Sequence, residues 1–207
     1  MRSRIEADYR ADMPKLALSG DPQADQLLAD DPLALLVGMV LDQQIPLERA
    51  FHSPWELTQR LGRDLDAVEL AEFDPEELGG IFATPPALHR FPGSMAKRVQ
   101  AMCRIVVDEY GGDAAAVWTG AKSGQDLFDR VAALPGFGKQ KARIFVALLA
   151  KQLGVKPKGW KEACDPFGER GSRMSVADIT GPDSLAEVRD YKRQMKAAAK
   201  AEAEAAT

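Results

Sequence analysis

Apolar residues recur at 95, 99, 102, 105 and 106 in GSMAKRVQAMCRIVVDEYGG, the spacing of one helix face, and that segment ends on two glycines. The same period continues along most of the chain. DPLALLVGMVLDQQ opens with Asp31 as an N-cap candidate and Pro32 at the first helical position, and SPWELTQRLG repeats that start with Ser53 and Pro54 before stopping at Gly62. DLDAVELA and DPEELGGIF predict short helices behind Asp64 and Asp74. SGQDLFDRVAAL and KARIFVALLAKQLG predict two more, separated by the turn LPGFG. SLAEVRDYKRQMKAAAKAEAEAA predicts a last helix that frays at its Ala/Glu end. Alternating strand patterns and repeats of 20–50 residues are absent from the sequence, so the expected fold is all-α. Residues 1–195 read as one helical domain, and 196–207 as an Ala/Glu-rich tail.

Residues 157–183, PKGWKEACDPFGERGSRMSVADITGPD, break the pattern. They are rich in Gly and Pro and accommodate two short helical pieces at most. An irregular stretch of this length inside a compact domain is either functional or a surface connection.

Charge changes the picture more than composition does. The net charge of −4 argues weakly against nucleic acid, but its distribution does not. Residues 64–77 hold seven acidic residues and no basic one, whereas 137–161 hold seven basic residues and no acidic one. Arg90, Lys97, Arg98 and Arg104 add a second basic stretch. Such asymmetry suits a phosphate-binding face, or simply a solvated lysine face. MRSRIEADYR has no apolar segment of the secretory kind, and no apolar run reaches membrane-spanning length. Cys103 and Cys164 lie far apart, which suggests free thiols in a reducing compartment and a cytoplasmic address. His52 and His89 do not fall into metal-ligand spacing with them, so no metal is expected.

The turn between helices is the candidate site. In LPGFGKQKA, Gly136 and Gly138 permit positive φ and close backbone approach. The helix beginning there points free N–H groups and a favourable dipole end outward, an anion site. Lys139, Lys141 and Arg143 add charge, and Leu134 and Phe137 are placed to anchor the hairpin in the core. Such a hairpin grips the phosphate backbone without reading bases. The bland alternative is a helix C-cap followed by a new helix start.

LPGFGKQKA resembles the hairpin of the helix–hairpin–helix DNA glycosylases, the endonuclease III-like superfamily of base excision repair. DPLALLVGMVLDQQIPLERAF is similar to that family's early helix, and FPGSMAKRVQAMCRIVVDEYGG to the helix that precedes the hairpin by about thirty residues. The resemblance runs from about residue 31 to residue 155. It implies a helical fold with the lesion site in a cleft, and double-stranded DNA as partner. It also implies extrusion of the target nucleotide, with a glutamine filling the gap. Gln44 is the matching position, with Gln43 beside it, and Ile45 and Pro46 next in line are wedge candidates. The hairpin residues Leu134, Pro135, Gly136, Phe137, Gly138, Lys139, Gln140 and Lys141 complete the implied DNA contact.

The family supplies an aspartate after the hairpin's second helix, whose charge stabilises the sugar cation as the glycosidic bond breaks. Asp165 and Asp178 are the candidates, with Asp165 favoured on spacing although several residues late. Bifunctional members attack the sugar with a lysine two residues past the second glycine, where this chain has Gln140, an amide that cannot form a Schiff base. Two cysteines fall short of the four thiolates of the family's iron–sulfur cluster, so no cofactor is expected. The expectation is a monomeric, monofunctional glycosylase with water as nucleophile. The competing readings are a hairpin DNA-binding module without catalysis and a helical protein with no nucleic-acid role. Much of the family's C-terminal lobe is expected to be missing or replaced.

Overall fold

The computed structural model describes residues 16–205, and within them helices alternate with turns and no strand occurs. The residues before Leu16, which include the first ten, read from sequence as no secretory signal, lie outside the described part. In chain order the helices are α1 (Pro22–Asp30), α2 (Pro32–Leu41), α3 (Leu47–Leu61), α4 (Ala67–Glu72), α5 (Pro75–Ala83), α6 (Pro92–Tyr110), α7 (Ala116–Thr119), α8 (Gly124–Ala133), α9 (Lys139–Gln152), α10 (Trp160–Ala163) and α11 (Pro182–Ala205). A 3₁₀ turn, Val176–Asp178, precedes α11.

Every residue of α2 from Leu33 to Leu41 is buried, as a helix apolar on all sides must be. It packs against α1, α3 and α6, while α6 in turn carries α4 and α5 on another side. At the α2–α3 crossing, a Cβ on Gly38 would sit 2.9 Å from Phe51, so only glycine lets the helices approach this closely. The long basic segment yields α9, whose core face from Phe145 to Ala150 is fully buried. α9 packs on α8, on α10 and on the 3₁₀ turn. The C-terminal helices are therefore gathered around the hairpin's second helix.

Three boundaries differ from the sequence reading, each for a local reason. α1 was not foreseen, although Asp21 and Pro22 repeat the Asp-Pro start and the Asp21 carboxylate accepts the N–H groups of Gln23 and Ala24. Ser53-Pro54 does not open a helix: α3 starts at Leu47 and Pro54 lies inside it. Ser53 Oγ donates there to the Arg49 and Leu88 carbonyls and fastens the helix to the chain before α6. The final helix continues to Ala205, so helix reaches through most of the segment expected to fray. No helix among the described residues is long and apolar enough to cross a membrane.

Candidate nucleic-acid interface

Helix caps divide the fold into two kinds of helix start. Asp or Ser side chains cap α1, α2, α4, α5 and α8. The long helices α3, α6 and α9 carry no side-chain cap. Their first-turn N–H groups are left for an outside acceptor. The end of α2, the turn that follows it, Arg98 of α6 and the hairpin form one junction.

Gln43 organises that junction. Its Nε2 donates to the Val40 carbonyl at 2.5 Å, its Oε1 accepts from Arg98 at 2.8 Å, and its backbone carbonyl accepts from His89 Nε2 at 2.7 Å. The amide of Gln43 is thus committed to the protein. Gln44 is the reverse case: it is exposed, and its φ of 55° is the one positive value among non-glycine residues in the described chain. A left-handed glutamine stores strain that a packed surrounding must hold. Here the three hydrogen bonds on Gln43 hold it, and the side chain of Gln44 is presented to solvent. Ile45, partly buried, packs against the core, and Pro46, exposed, is the N-cap of α3.

His89 is buried. Its Nδ1 accepts the Phe91 N–H at 3.0 Å while Nε2 reaches Gln43, a pattern that only the neutral ring satisfies. Burial, and then the nearby Arg90, Lys141 and Arg98 charges, lower its pKa below the usual 6.5, against the opposing hydrogen bond to Gln43. Because the unfolded chain protonates first, His89 withdraws stability as pH falls below about 6.5. Thermal melts of wild type and His89→Gln are expected to converge as pH drops from 7 to 5, the wild type losing the larger share. Parallel curves across that range would contradict this role.

The hairpin itself separates its two glycines. Gly136 has φ 93°, and a Cβ there would meet Arg98 Cδ at 3.0 Å and Val40 Cγ1 at 3.3 Å. Gly138 is the N-cap of α9 with φ −80° and open space around it, so the positive φ expected at both positions is needed only at Gly136. Leu134 and Phe137 are buried, and the Phe137 ring packs on Phe145 at 5.6 Å. Pro135 is half-buried, whereas Lys139, Gln140 and Arg143 are exposed.

Lys141 departs from the sequence reading. Its amine points inward and donates to the Met39 carbonyl at 2.8 Å, so it ties α9 to the end of α2 instead of standing free for phosphate. Burial lowers its pKa to about 8, opposed by the charge of Asp42 and aided by Arg98 and Lys192. Two residues at this face escaped sequence reasoning. Phe91, 43% exposed, stands beside His89 with the Arg90 guanidinium over its ring. Asp42 puts a half-buried carboxylate at the same helix end. An aromatic at a helix start has no periodicity to reveal it, and only the contact to His89 makes it part of the site.

Of the two aspartates expected at the site, one is taken up by the fold. Asp178 is buried and its carboxylate is fully engaged. Oδ1 accepts from Lys151 Nζ at 2.7 Å and Ser172 Oγ at 2.8 Å, and Oδ2 accepts from the Met174 and Ser175 N–H groups. It closes a capping box with Ser175 and pins the irregular segment to the end of α9. Lys151 is twelve residues beyond Lys139, which places this pair about 18 Å along the helix from the hairpin. Asp178→Asn is expected to lower stability by about 2 kcal/mol, because it leaves the Lys151 charge without its partner. An unchanged melting temperature would refute that. Asp165 is exposed just after α10. A cavity of about 440 Å³ opens here, lined by Lys151, Trp160, Lys161, Arg170, Ser172 and Asp178 among others.

Two helices joined by a glycine hairpin, with an uncapped start to the second, define a helix–hairpin–helix protein. The chain belongs to the HhH-GPD superfamily of base excision DNA repair proteins, whose family model matches residues 37–205. The match passes well beyond residue 155, where the sequence resemblance stopped, and takes in the irregular segment and the last helix. No match exists among curated proteins or among solved structures.

Proposed function

We propose that the protein is a monofunctional DNA glycosylase that hydrolyses the N-glycosidic bond of a damaged or mismatched base in duplex DNA. The observation that carries this reading is a strained, exposed Gln44 in the turn after α2, the helix end against which the hairpin packs through Gly136 and Lys141. The uncapped start of α9 and Lys139 hold the phosphate backbone. Gln44 enters the space left by an extruded nucleotide, and Phe91 stacks against the opened step. Gln140 stands where an amine would attack the sugar, so water is the nucleophile. A carboxylate stabilises the sugar cation. With Asp178 committed to Lys151, Asp165 is the candidate acid that keeps a free carboxylate.

The protein acts as a monomer and without a cofactor. Cys103 and Cys164 are buried in different elements, and burial pushes their thiols up to about 12 and about 11, so both stay protonated. Two such cysteines do not fit an iron–sulfur cluster. They do fit a reducing compartment such as the cytoplasm.

A second reading is favoured by the commitment of Asp178 and the distance of its segment from the hairpin: a DNA-binding module that has lost catalysis. Incubating duplexes that carry uracil, alkylated purines or mismatches separates the two. Free base released from at least one duplex supports the enzyme, and specific binding without release supports the module.

A further inference from the structure

The last helix carries a feature the hairpin account does not use. From Ser184 to Tyr191 it packs inward through Ser184, Leu185, Val188 and Tyr191. Beyond Tyr191 each residue to Lys200 is exposed, including Met195, next on the inward stripe and 52% exposed. A helix this bare gains little from the body that carries it, and short helices are marginal in water.

We propose that residues 189–200 of α11 are a second DNA-backbone contact, a basic helical arm that lies along the duplex next to the hairpin. At about 100° per residue, Arg189, Lys192, Arg193, Lys196 and Lys200 fall within an arc of about 100°. Asp183, Glu187 and Asp190 fall on the other side. Segregation of this kind gives a helix one phosphate-seeking face.

The position of the arm points to DNA as its partner. Arg189 pairs with Glu48 in the first turn of α3, immediately after the Gln44 turn. Lys192 comes close enough to Lys141, in the first turn of α9, for its charge to act there. The helix therefore leaves the body beside the face that presents Gln44, Phe91 and Lys139. From Arg189 to Lys200 it extends about 16 Å, the length of roughly five base pairs. Arg193 pairs with Asp190 and Lys200 with Glu204, but both pairs are exposed, and such pairs are weak enough to yield to phosphate.

This inference rests on the reading of the hairpin face as a DNA interface, and the test keeps the two apart. Binding of a fluorescent, undamaged duplex is measured against salt for four proteins. These are the wild type, Gly136→Asp, the triple variant Lys192→Glu, Lys196→Glu, Lys200→Glu, and a chain ending at Tyr191. The altered residues are exposed, so all arm variants are expected to fold, as read by circular dichroism. Both arm variants are expected to bind about tenfold more weakly at 0.1 M salt. Their salt slope should fall by roughly three in the triple variant and roughly four in the shortened chain, one phosphate for each cation lost. Wild-type affinity and slope in both arm variants, with binding lost in Gly136→Asp, would overturn the arm and leave the hairpin reading standing. A wild type that fails to bind duplex would overturn both.

Discussion

Gly136→Asp is expected to weaken duplex binding about 100-fold at physiological salt, uniformly across sequences, while the protein stays folded. Three effects add. The residue's φ of 93° suits glycine, and an L side chain there is strained by about 1–2 kcal/mol. Its Cβ would press on Arg98 Cδ and Val40 Cγ1, and Arg98 is the side chain that holds the amide of Gln43. The new carboxylate also stands at a helix start that is meant for an anion. A factor of 100 corresponds to about 2.7 kcal/mol of binding free energy. Gly138→Ala is the control: φ is −80° and a Cβ there meets nothing within 4 Å, so its affinity should change less than about threefold. Fluorescence anisotropy checks both. Equal losses at the two positions would mean that the hairpin does not work through Gly136 packing on Arg98.

The helical architecture and the hairpin were legible because both rest on local chemistry. Apolar period, Asp-Pro starts and terminal glycines act within one or two turns, and they mark α2, α4, α5, α6, α8 and α9. The division of labour between neighbours was not legible. Gln43 and Gln44 are the same residue type in adjacent positions, yet one is fixed by Val40, Arg98 and His89 and the other is exposed. Lys139 and Lys141 read alike, but about 200° of helix phase sends Lys141 to the Met39 carbonyl 102 residues away. Asp178 has the composition of a catalytic acid and the contacts of a structural one, and only its partners Lys151 and Ser172 tell the difference. What decides each case is a long-range contact, to His89 and Arg98, to Met39 or to Lys151, which periodicity does not encode.

Asp165→Asn is expected to reduce base release at least 100-fold on whichever lesion the protein processes, with duplex affinity unchanged or slightly improved. Removing a negative charge near phosphate cannot weaken binding electrostatically, whereas the sugar cation loses the carboxylate that stabilises it. A single charge-stabilising group accounts for roughly 100- to 1,000-fold in comparable sites. Single-turnover release and anisotropy on the same duplex measure the two effects separately. If Asp165→Asn releases base at the wild-type rate, Asp42, the carboxylate beside the Gln43–Gln44 turn, becomes the group to replace next.

Water as nucleophile is the core of the proposed chemistry, and one measurement addresses it. A processed lesion duplex is divided in two: one half is run before and after alkali, and the other is treated with borohydride during the reaction. The account predicts an intact strand that breaks only after alkali and no protein–DNA adduct, because Gln140 presents an amide where a Schiff base would need an amine. Strand scission without alkali, together with a borohydride-trapped adduct, would contradict it.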